Sequence, residues 1–270
     1  MTEFRPTSFQ ILPVVIKNLL IINVLVFLAQ QTLRASGLTI MEDLFGLHHV
    51  SSPLFQPWQI ITHLFLHGDF MHLFGNMFAL WMFGARLENL WGPKRFLTFY
   101  FLCGIGAALI QLASLWIQYS ELLNQFMAIK LHPTSEAIVA FYRQFGLDEN
   151  LVFKNYLDNP GSALSSQQAV DYISNVSYSA ISHATIGASG AVFGILAAFV
   201  YLYPNTYIYL YLLFPIKTKW IGLFYFGTEI YSGIVNSAGD NIAHWAHIGG
   251  GLVGFLLVLT WNKKNRRNFY

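Results

Sequence analysis

Four residues whose side chains can do chemistry lie inside otherwise apolar segments of this chain. Ser189 opens an apolar run that extends to residue 203, and His247 lies in another apolar segment. His72 and Asn76 are four residues apart in a third, so a helix places them on one face. A serine hydroxyl is a weak nucleophile until a base removes its proton, and an imidazole, which titrates near neutral pH, is suited to that task. The set predicts hydrolysis with Ser189 as the nucleophile and His247 as the general base.

The same set also offers donors for the negative oxygen that develops when a nucleophile attacks a carbonyl. The backbone N–H of Ser189 would stand at a helix start, where the helix dipole favours negative charge. The Asn76 amide and the His72 ring can donate from their side chains. Losing one such donor typically costs about 3–4 kcal/mol of transition-state stabilisation. We therefore predict an oxyanion hole made by His72, Asn76 and Ser189.

The composition indicates that this chemistry would take place in a membrane. Of 270 residues, 55% are hydrophobic and only 10% are charged, and the mean hydropathy is +0.48. A soluble domain carries about 25% charged residues, so too few remain here to cover a water-facing surface. The net charge of +2 argues against a nucleic-acid partner. The single cysteine, Cys103, cannot form an internal disulfide.

Six segments are apolar and long enough to span a bilayer, which takes roughly 20 residues. They cover residues of about 14–33, 69–90, 95–117, 184–204, 219–237 and 242–261. If the second, fourth and sixth run inward, a helical rise of about 1.5 Å per residue places Asn76 roughly 10 Å deep, Ser189 roughly 9 Å and His247 roughly 7–8 Å. The spans, which have the lipid bilayer as a partner, are thus expected to bring these residues to one layer in the outer half of a hydrocarbon core about 30 Å thick.

Charge asymmetry predicts the orientation, because loops on the cytoplasmic side are rich in lysine and arginine. The cations assigned to that side are Arg5, Lys17, Arg86, Lys94, Arg95, Lys217, Lys219, Lys263, Lys264, Arg266 and Arg267. Arg34 with Glu42 and Asp43, and Asp240, fall on the other side. Both termini are therefore predicted to be cytoplasmic, in the cytoplasmic membrane of a prokaryote, with the reactive layer toward the outer side.

An extended polar region, residues 118–183, separates the third and fourth spans and is net acidic. Helix-like apolar spacing occurs over Glu121–Leu131 and Glu136–Phe145. Pro133, Gly146 and the turn at 159–161 punctuate these stretches. We predict an external helical insertion within a single membrane domain that covers residues 1–270.

Small residues predict where two helices approach closely. Gly250 and Gly254 form a small face after His247, and glycines at 187, 190 and 194 surround Ser189. Phe193, one turn beyond Ser189, is expected to pack under the imidazole of His247.

Other polar residues in apolar segments receive structural roles. His63 and His67 are expected at the interface, and Glu88 is expected near Arg86 and Arg95. Glu229 falls near the middle of the fifth span, where an ionisable residue is a functional candidate by default. We expect it to hydrogen-bond a neighbouring helix.

A metal site is the alternative chemistry. His63 with His67, and His244 with His247, have the spacing of paired ligands on a helix. The sequence places no cysteine or carboxylate beside either pair and has no HExxH motif. We therefore expect neither a metal nor another cofactor.

The chain resembles the rhomboid family of intramembrane serine proteases. The matching segments are 67–76 (HGDFMHLFGN), 87–92 (LENLWG), 187–190 (GASG) and 246–250 (AHIGG) with Gly254. They occur in the order of the family and extend the resemblance over about 58–116 and 181–260.

The resemblance implies an all-α bundle of six transmembrane helices around a water-filled cavity open to the outside. Ser189 and His247 would form a dyad without an acidic third member, and His72 and Asn76 would line the oxyanion hole. The fifth span, around 220–231, would be a lateral gate. Substrates would be single-span membrane proteins whose helix unwinds at small or helix-breaking residues. A catalytically silent rhomboid-like binding protein and a metal-dependent membrane enzyme remain as alternatives.

Overall fold

The computed structural model describes residues 9–147, 149–210, 214–235 and 242–266, and these are mostly helical. The helices are α1 (Val14–Ala35), α2 (Ile40–Phe45), α3 (Gln59–Thr62), α4 (Phe70–Ala79), α5 (Ala85–Trp91), α6 (Pro93–Leu131), α7 (Ser135–Gln144), α8 (Leu151–Asp158), α9 (Ala163–Ile181), α10 (Ser189–Leu202), α11 (Thr218–Val235) and α12 (His244–Arg266). Two short antiparallel strands, β1 (Tyr207–Leu210) and β2 (Phe214–Lys217), lie between α10 and α11. This hairpin was not predicted from the sequence.

Three helices among the described residues are long and apolar enough to cross a membrane, judged by length and composition. They are Val14–Ala35, Pro93–Leu131 and the 244–262 part of α12, and α10 is a shorter apolar helix. Together with the high apolar content, they give the chain the character of a membrane protein. The predicted second span is helical over 70–91, but a π-helical turn at Leu80–Gly84 joins α4 to α5.

The chain divides into two compact units. The first unit comprises residues 1–47, 56–113 and 184–270, and the second comprises residues 48–55 and 114–183. Residues 236–237 of the predicted fifth span, and the charges at Arg5, Asp240 and Arg267, lie outside the described residues.

In the first unit, side chains cap the starts of two helices. The Asp69 carboxylate accepts a hydrogen bond from the backbone N–H of His72, which fixes the start of α4. The Glu88 carboxylate accepts from the backbone N–H groups of Val15 and Ile16, both at 2.9 Å. Glu88 is 3% exposed. Its structural role is thus to cap the N-terminus of α1, where its negative charge complements the helix dipole.

Helices α10 and α12 approach each other closely through glycines, as predicted. A Cβ atom on Gly250 would overlap the carbonyl oxygen of Gly190. One turn further on, a Cβ on Gly254 would lie 2.5 Å from the carbonyl oxygen of Gly194. Any larger side chain would separate the two helices, and this contact therefore sets how near Ser189 and His247 can come.

The helix that carries the serine begins at Ser189, as expected for its backbone N–H, but later than the predicted span, and this corrects the depth estimate. The predicted span starts at residue 184, whereas α10 starts at Ser189 itself. Gly187 adopts a φ of +129°, a conformation that side chains rarely allow, and the chain is not helical from 182 to 188. Because those residues are not helical, a depth counted from residue 183 at the helical rise does not apply to Ser189.

His63 and His67 are buried, at 3% and 0% exposure, so neither ring reaches the protein surface as a histidine that snorkels to the membrane interface would. A 3₁₀ turn at His63–Phe65 follows α3, and α4 begins only at Phe70. The two histidines therefore do not share a helical face, and the predicted i,i+4 ligand pair is absent from this described segment. The Nδ1 atom of His63 lies 2.8 Å from the carbonyl oxygen of Gln59.

The second unit has a hydrophobic core of its own. Its buried residues are Leu122, Phe126, Ile129, Ile138, Phe141, Tyr142, Phe153, Tyr156, Ala169 and Ile173. The predicted helices and the breaks at 133, 146 and 159–161 agree with α6 to α9. Burial raises the pKa of the Tyr142 phenol, and the neighbouring Tyr172 adds to the effect.

The predicted boundary of the insertion at residue 118 does not coincide with a break in the structure. Helix α6 runs without interruption from Pro93 to Leu131, and the compact unit begins at Ser114. It also includes residues 48–55, where the His49 and Trp116 rings stack at 6.0 Å. Sequence polarity changes along one face of a continuous helix, so it cannot mark the end of a packing unit.

Candidate active site

Ser189 and His247 meet at a hydrogen-bonding distance. The Nε2 atom of His247 lies 2.8 Å from the Oγ atom of Ser189. Ser189 is the first residue of α10, and His247 lies in the first turn of α12. The pair is thus brought together by two helix starts that face each other across the glycine contact, and the geometry suits proton transfer from the hydroxyl to the ring.

An aromatic ring packs against one face of the His247 imidazole. Phe193 stacks on it with a centroid distance of 4.4 Å and an interplanar angle of 6°. The sequence placed Phe193 one turn after Ser189, and the predicted packing is confirmed. Stacking restricts rotation of the ring, which keeps Nε2 directed at the serine.

His72 lies next to Gly187, two residues before the serine. A Cβ atom on Gly187 would stand 2.7 Å from Nε2 of His72 and 3.5 Å from Oγ of Ser189, so glycine leaves the space between them open. The backbone N–H of Gly68 donates to Nδ1 of His72 at 3.3 Å. With Nδ1 acting as acceptor, the neutral ring carries its proton on Nε2, the atom that lies next to Gly187.

Asn76 follows His72 by one turn of α4 and is 7% exposed. Its Nδ2 atom is buried and has no hydrogen-bond partner within the described part of the chain. Buried amide donors are almost always hydrogen-bonded, so an unpaired Nδ2 atom is unusual and is a candidate donor to a bound group.

Glu229 lies beside the other ring nitrogen of His247, and this departs from the dyad that the resemblance implied. Its Oε2 atom lies 3.0 Å from Nδ1 of His247 and 2.6 Å from Nδ1 of His244. The second contact is a hydrogen bond, whereas the N–H direction of His247 is outside hydrogen-bonding geometry. The expectation that Glu229 bonds a neighbouring helix is confirmed, since both histidines belong to α12.

The same contacts correct the argument against a metal. We expected no carboxylate beside the His244 and His247 pair, but Glu229 supplies one from α11. One ligand atom from each of these residues lies within 4.8 Å of the others. The sequence could not reveal this, because the carboxylate is fifteen positions away and reaches the pair only through helix packing.

The class of protein that these observations define is a helical membrane protein with a Ser–His pair at a helix–helix contact. A family model described as the Rhomboid domain matches residues 54–119 and 162–264. The chain belongs to the rhomboid family.

The chain is similar to several named proteins. The chain is 23% identical over 210 residues to RHOMBOID-like protein 12, mitochondrial, of Arabidopsis thaliana, covering 78% of this chain and 47% of that protein. It is 27% identical over 203 residues to Rhomboid protein 1, mitochondrial, of Saccharomyces cerevisiae, covering 73% and 40%. Rhomboid-like protease 3 of Toxoplasma gondii is 41% identical over 58 residues, or 22% of each chain. The chain thus spans less than half the length of these relatives.

Proposed function

We propose that this protein is an intramembrane serine endopeptidase that cleaves single-span membrane proteins within or next to their transmembrane helix. The observation that carries the proposal is the 2.8 Å separation between Nε2 of His247 and Oγ of Ser189. Membership in the rhomboid family and the protease named among the relatives support it. No cofactor is required by this chemistry.

The reaction needs only groups that the site contains. Nε2 of His247 takes the hydroxyl proton as Oγ of Ser189 attacks the scissile carbonyl carbon, and the carbonyl π electrons move to its oxygen. The Ser189 N–H, the Asn76 amide and the His72 Nε2–H donate to that oxyanion. Its collapse breaks the C–N bond, and the imidazolium returns the proton to the leaving amine. Water then hydrolyses the acyl-serine with the same base.

The membrane arrangement is part of the proposal. Six spans with both termini in the cytoplasm, and residues 118–183 outside, agree with the distribution of lysine and arginine. The cytoplasmic membrane is the proposed location. Two of the relatives are named as mitochondrial, and that location is stated of those proteins alone. Helix α11, with exposed Trp220, Phe224 and Tyr231, is the proposed lateral gate for the substrate helix.

The test is cleavage of a single-span model substrate in liposomes that contain the purified protein. Ser189→Ala is expected to abolish cleavage, because the nucleophile is removed while the fold is kept. Ser120→Ala, which removes an exposed hydroxyl that donates to Ile117, is the matched control and should cleave as the wild type does. Equal cleavage by Ser189→Ala would reject the mechanism, and an inactive wild type with an unreactive Ser189 would favour a silent rhomboid-like binding protein.

A metal-dependent reaction is the second candidate, favoured by the arrangement of Glu229, His244 and His247. It makes the opposite prediction in the same assay. A chelator would abolish cleavage, and Ser189→Ala would leave it unchanged.

A further inference from the structure

We infer that Glu229 is a positioning residue for the general base, so that this protein acts through a Ser189–His247–Glu229 triad in which the acid comes from the gate helix α11. The inference rests on the proposed function and deepens it. Its basis is that one carboxylate oxygen stands beside Nδ1 of His247 while the opposite ring nitrogen contacts the nucleophile.

The placement of the carboxylate is specific. The side chain of Glu229 is 13% exposed, and those of His244 and His247 are 10% and 11% exposed. A buried carboxylate is costly unless it is paired, and here its Oε2 atom contacts both imidazoles. The hydrogen bond from His244 anchors it at 2.6 Å. Glu229 is therefore held beside the imidazole of His247 by its hydrogen bond with His244.

The protonation of the ring follows from its two neighbours. For Nε2 to accept the serine proton, the neutral imidazole must carry its own proton on Nδ1. A carboxylate next to Nδ1 favours that tautomer and stabilises the positive charge that forms when Nε2 is protonated. Glu229 takes no proton in this scheme, since the serine proton moves to Nε2 and then to the leaving amine.

In the structure, the Nδ1–H of His247 is not aligned with the Glu229 carboxylate for a hydrogen bond. The two atoms already stand at 3.0 Å, so a modest rotation of the carboxylate or the ring is enough to align them. Hydrogen bonds in catalytic sites commonly tighten in the substrate complex. Because Glu229 lies on α11, such alignment would depend on the position of that helix, and substrate entry would be linked to activation of the base.

A bound metal would use the same atoms in a different way. Zinc ligands stand about 2.0–2.2 Å from the ion, and neighbouring ligand atoms are then well over 3 Å apart. The observed 2.6 Å contact between Glu229 and His244 is instead a hydrogen bond in which the Nδ1–H of His244 donates to the carboxylate. A metal on Nδ1 would also displace the proton that the triad requires, and the two uses of this cluster exclude each other.

The experiment compares Glu229→Gln, Glu229→Asp and Thr228→Val with the wild type in liposomes. Two rates are measured: steady-state cleavage of the single-span substrate, and covalent labelling of Ser189 by a fluorophosphonate probe. Thr228 is the matched control because its hydroxyl is exposed and donates to Tyr225. The melting temperature of each purified variant reports whether it is folded.

We expect Glu229→Gln to lower kcat and the labelling rate by about 100-fold, with KM changed by less than about twofold. Glu229→Asp should recover part of both rates, and Thr228→Val should match the wild type. If the folded fraction of Glu229→Gln were labelled at Ser189 at the wild-type rate, the inference would be overturned. A chelator that abolishes wild-type cleavage would also overturn it.

The outcomes separate this inference from the proposed function. Labelling of Ser189 without cleavage of the substrate rejects the proposed substrate class, while the labelling rates still decide the role of Glu229. If the wild type and Glu229→Gln cleave the substrate at the same rate, the protease function is supported and the triad is rejected.

Discussion

At the residue scale, some polar atoms of the site have hydrogen-bond partners and others do not. His72 and His247 each have a hydrogen-bond partner for one ring nitrogen, and Ser189 has the imidazole. The Asn76 amide nitrogen has none among the residues that the structure describes. Leaving a buried donor unpaired costs about 1–3 kcal/mol, a cost that the fold carries where the donor would meet a charge in the transition state.

Asn76→Ala should therefore slow catalysis without weakening substrate binding. Removing one oxyanion donor is expected to lower kcat by about 100- to 1,000-fold, with KM nearly unchanged, because the charge exists only in the transition state. Cleavage kinetics in liposomes provide the measurement. Asn175→Ala, which alters an exposed amide in the second unit, is the control. A rise in KM at constant kcat would instead assign Asn76 to substrate binding.

At the element scale, the packing of α10 against α12 determines how Ser189 and His247 lie relative to each other. The contact between Gly190 and Gly250 leaves no room for a methyl group, whereas Gly227 on α11 has open space around its Cα. Backbone-to-backbone contact of this kind is typical of helix pairs in membranes, where dispersion and close approach replace the hydrophobic effect.

Gly250→Ala is expected to destabilise the protein and to disable the site together. The added methyl group overlaps the Gly190 carbonyl, so the helices must separate, at a cost of about 1–3 kcal/mol typical of overpacking. Thermal unfolding in detergent and labelling of Ser189 by the fluorophosphonate probe measure the two effects. Gly227→Ala should leave both at the wild-type level. If Gly250→Ala kept the full labelling rate, the close approach would not be what positions His247.

The elements also show which parts of the site a sequence can reveal. The i,i+4 relation of His72 and Asn76 and the one-turn relation of Ser189 and Phe193 are local, and both follow from helical periodicity. The helix start expected at Ser189 is observed, but the span predicted from residue 184 begins too early, because Gly187 has a positive φ and the residues just before Ser189 are not helical. Glu229 was recognised as an ionisable residue in a span, but its partners are set by packing.

At the scale of the whole molecule, the two compact units have separate hydrophobic cores. The proposed topology puts most of the second unit, residues 118–183, on the outer side and the α5–α6 turn in the cytoplasm. Chemical labelling can test this because Cys103, the single native cysteine, is fully buried.

Gln167→Cys and Lys94→Cys, made separately, should differ in their reaction with a membrane-impermeant maleimide. Both positions are exposed, so access is decided by the membrane and not by the fold. In intact cells of a bacterial host, Gln167→Cys is expected to react, and Lys94→Cys is expected to react only after permeabilisation. The wild type measures the background. The reverse pattern would invert the topology, and reaction of both in intact cells would contradict it.

From the sequence alone came the membrane class, the family resemblance and the identity of Ser189, His247, His72 and Asn76 as the residues to consider, because each depends on composition, local spacing or an ordered set of motifs. The tertiary structure alone decided that residues 184–188 stay outside the helix, that α6 continues unbroken past residue 118, and that Glu229 lies beside the His247 imidazole. These features depend on which helix faces pack together, and the energy of that packing comes from residues far apart in the chain.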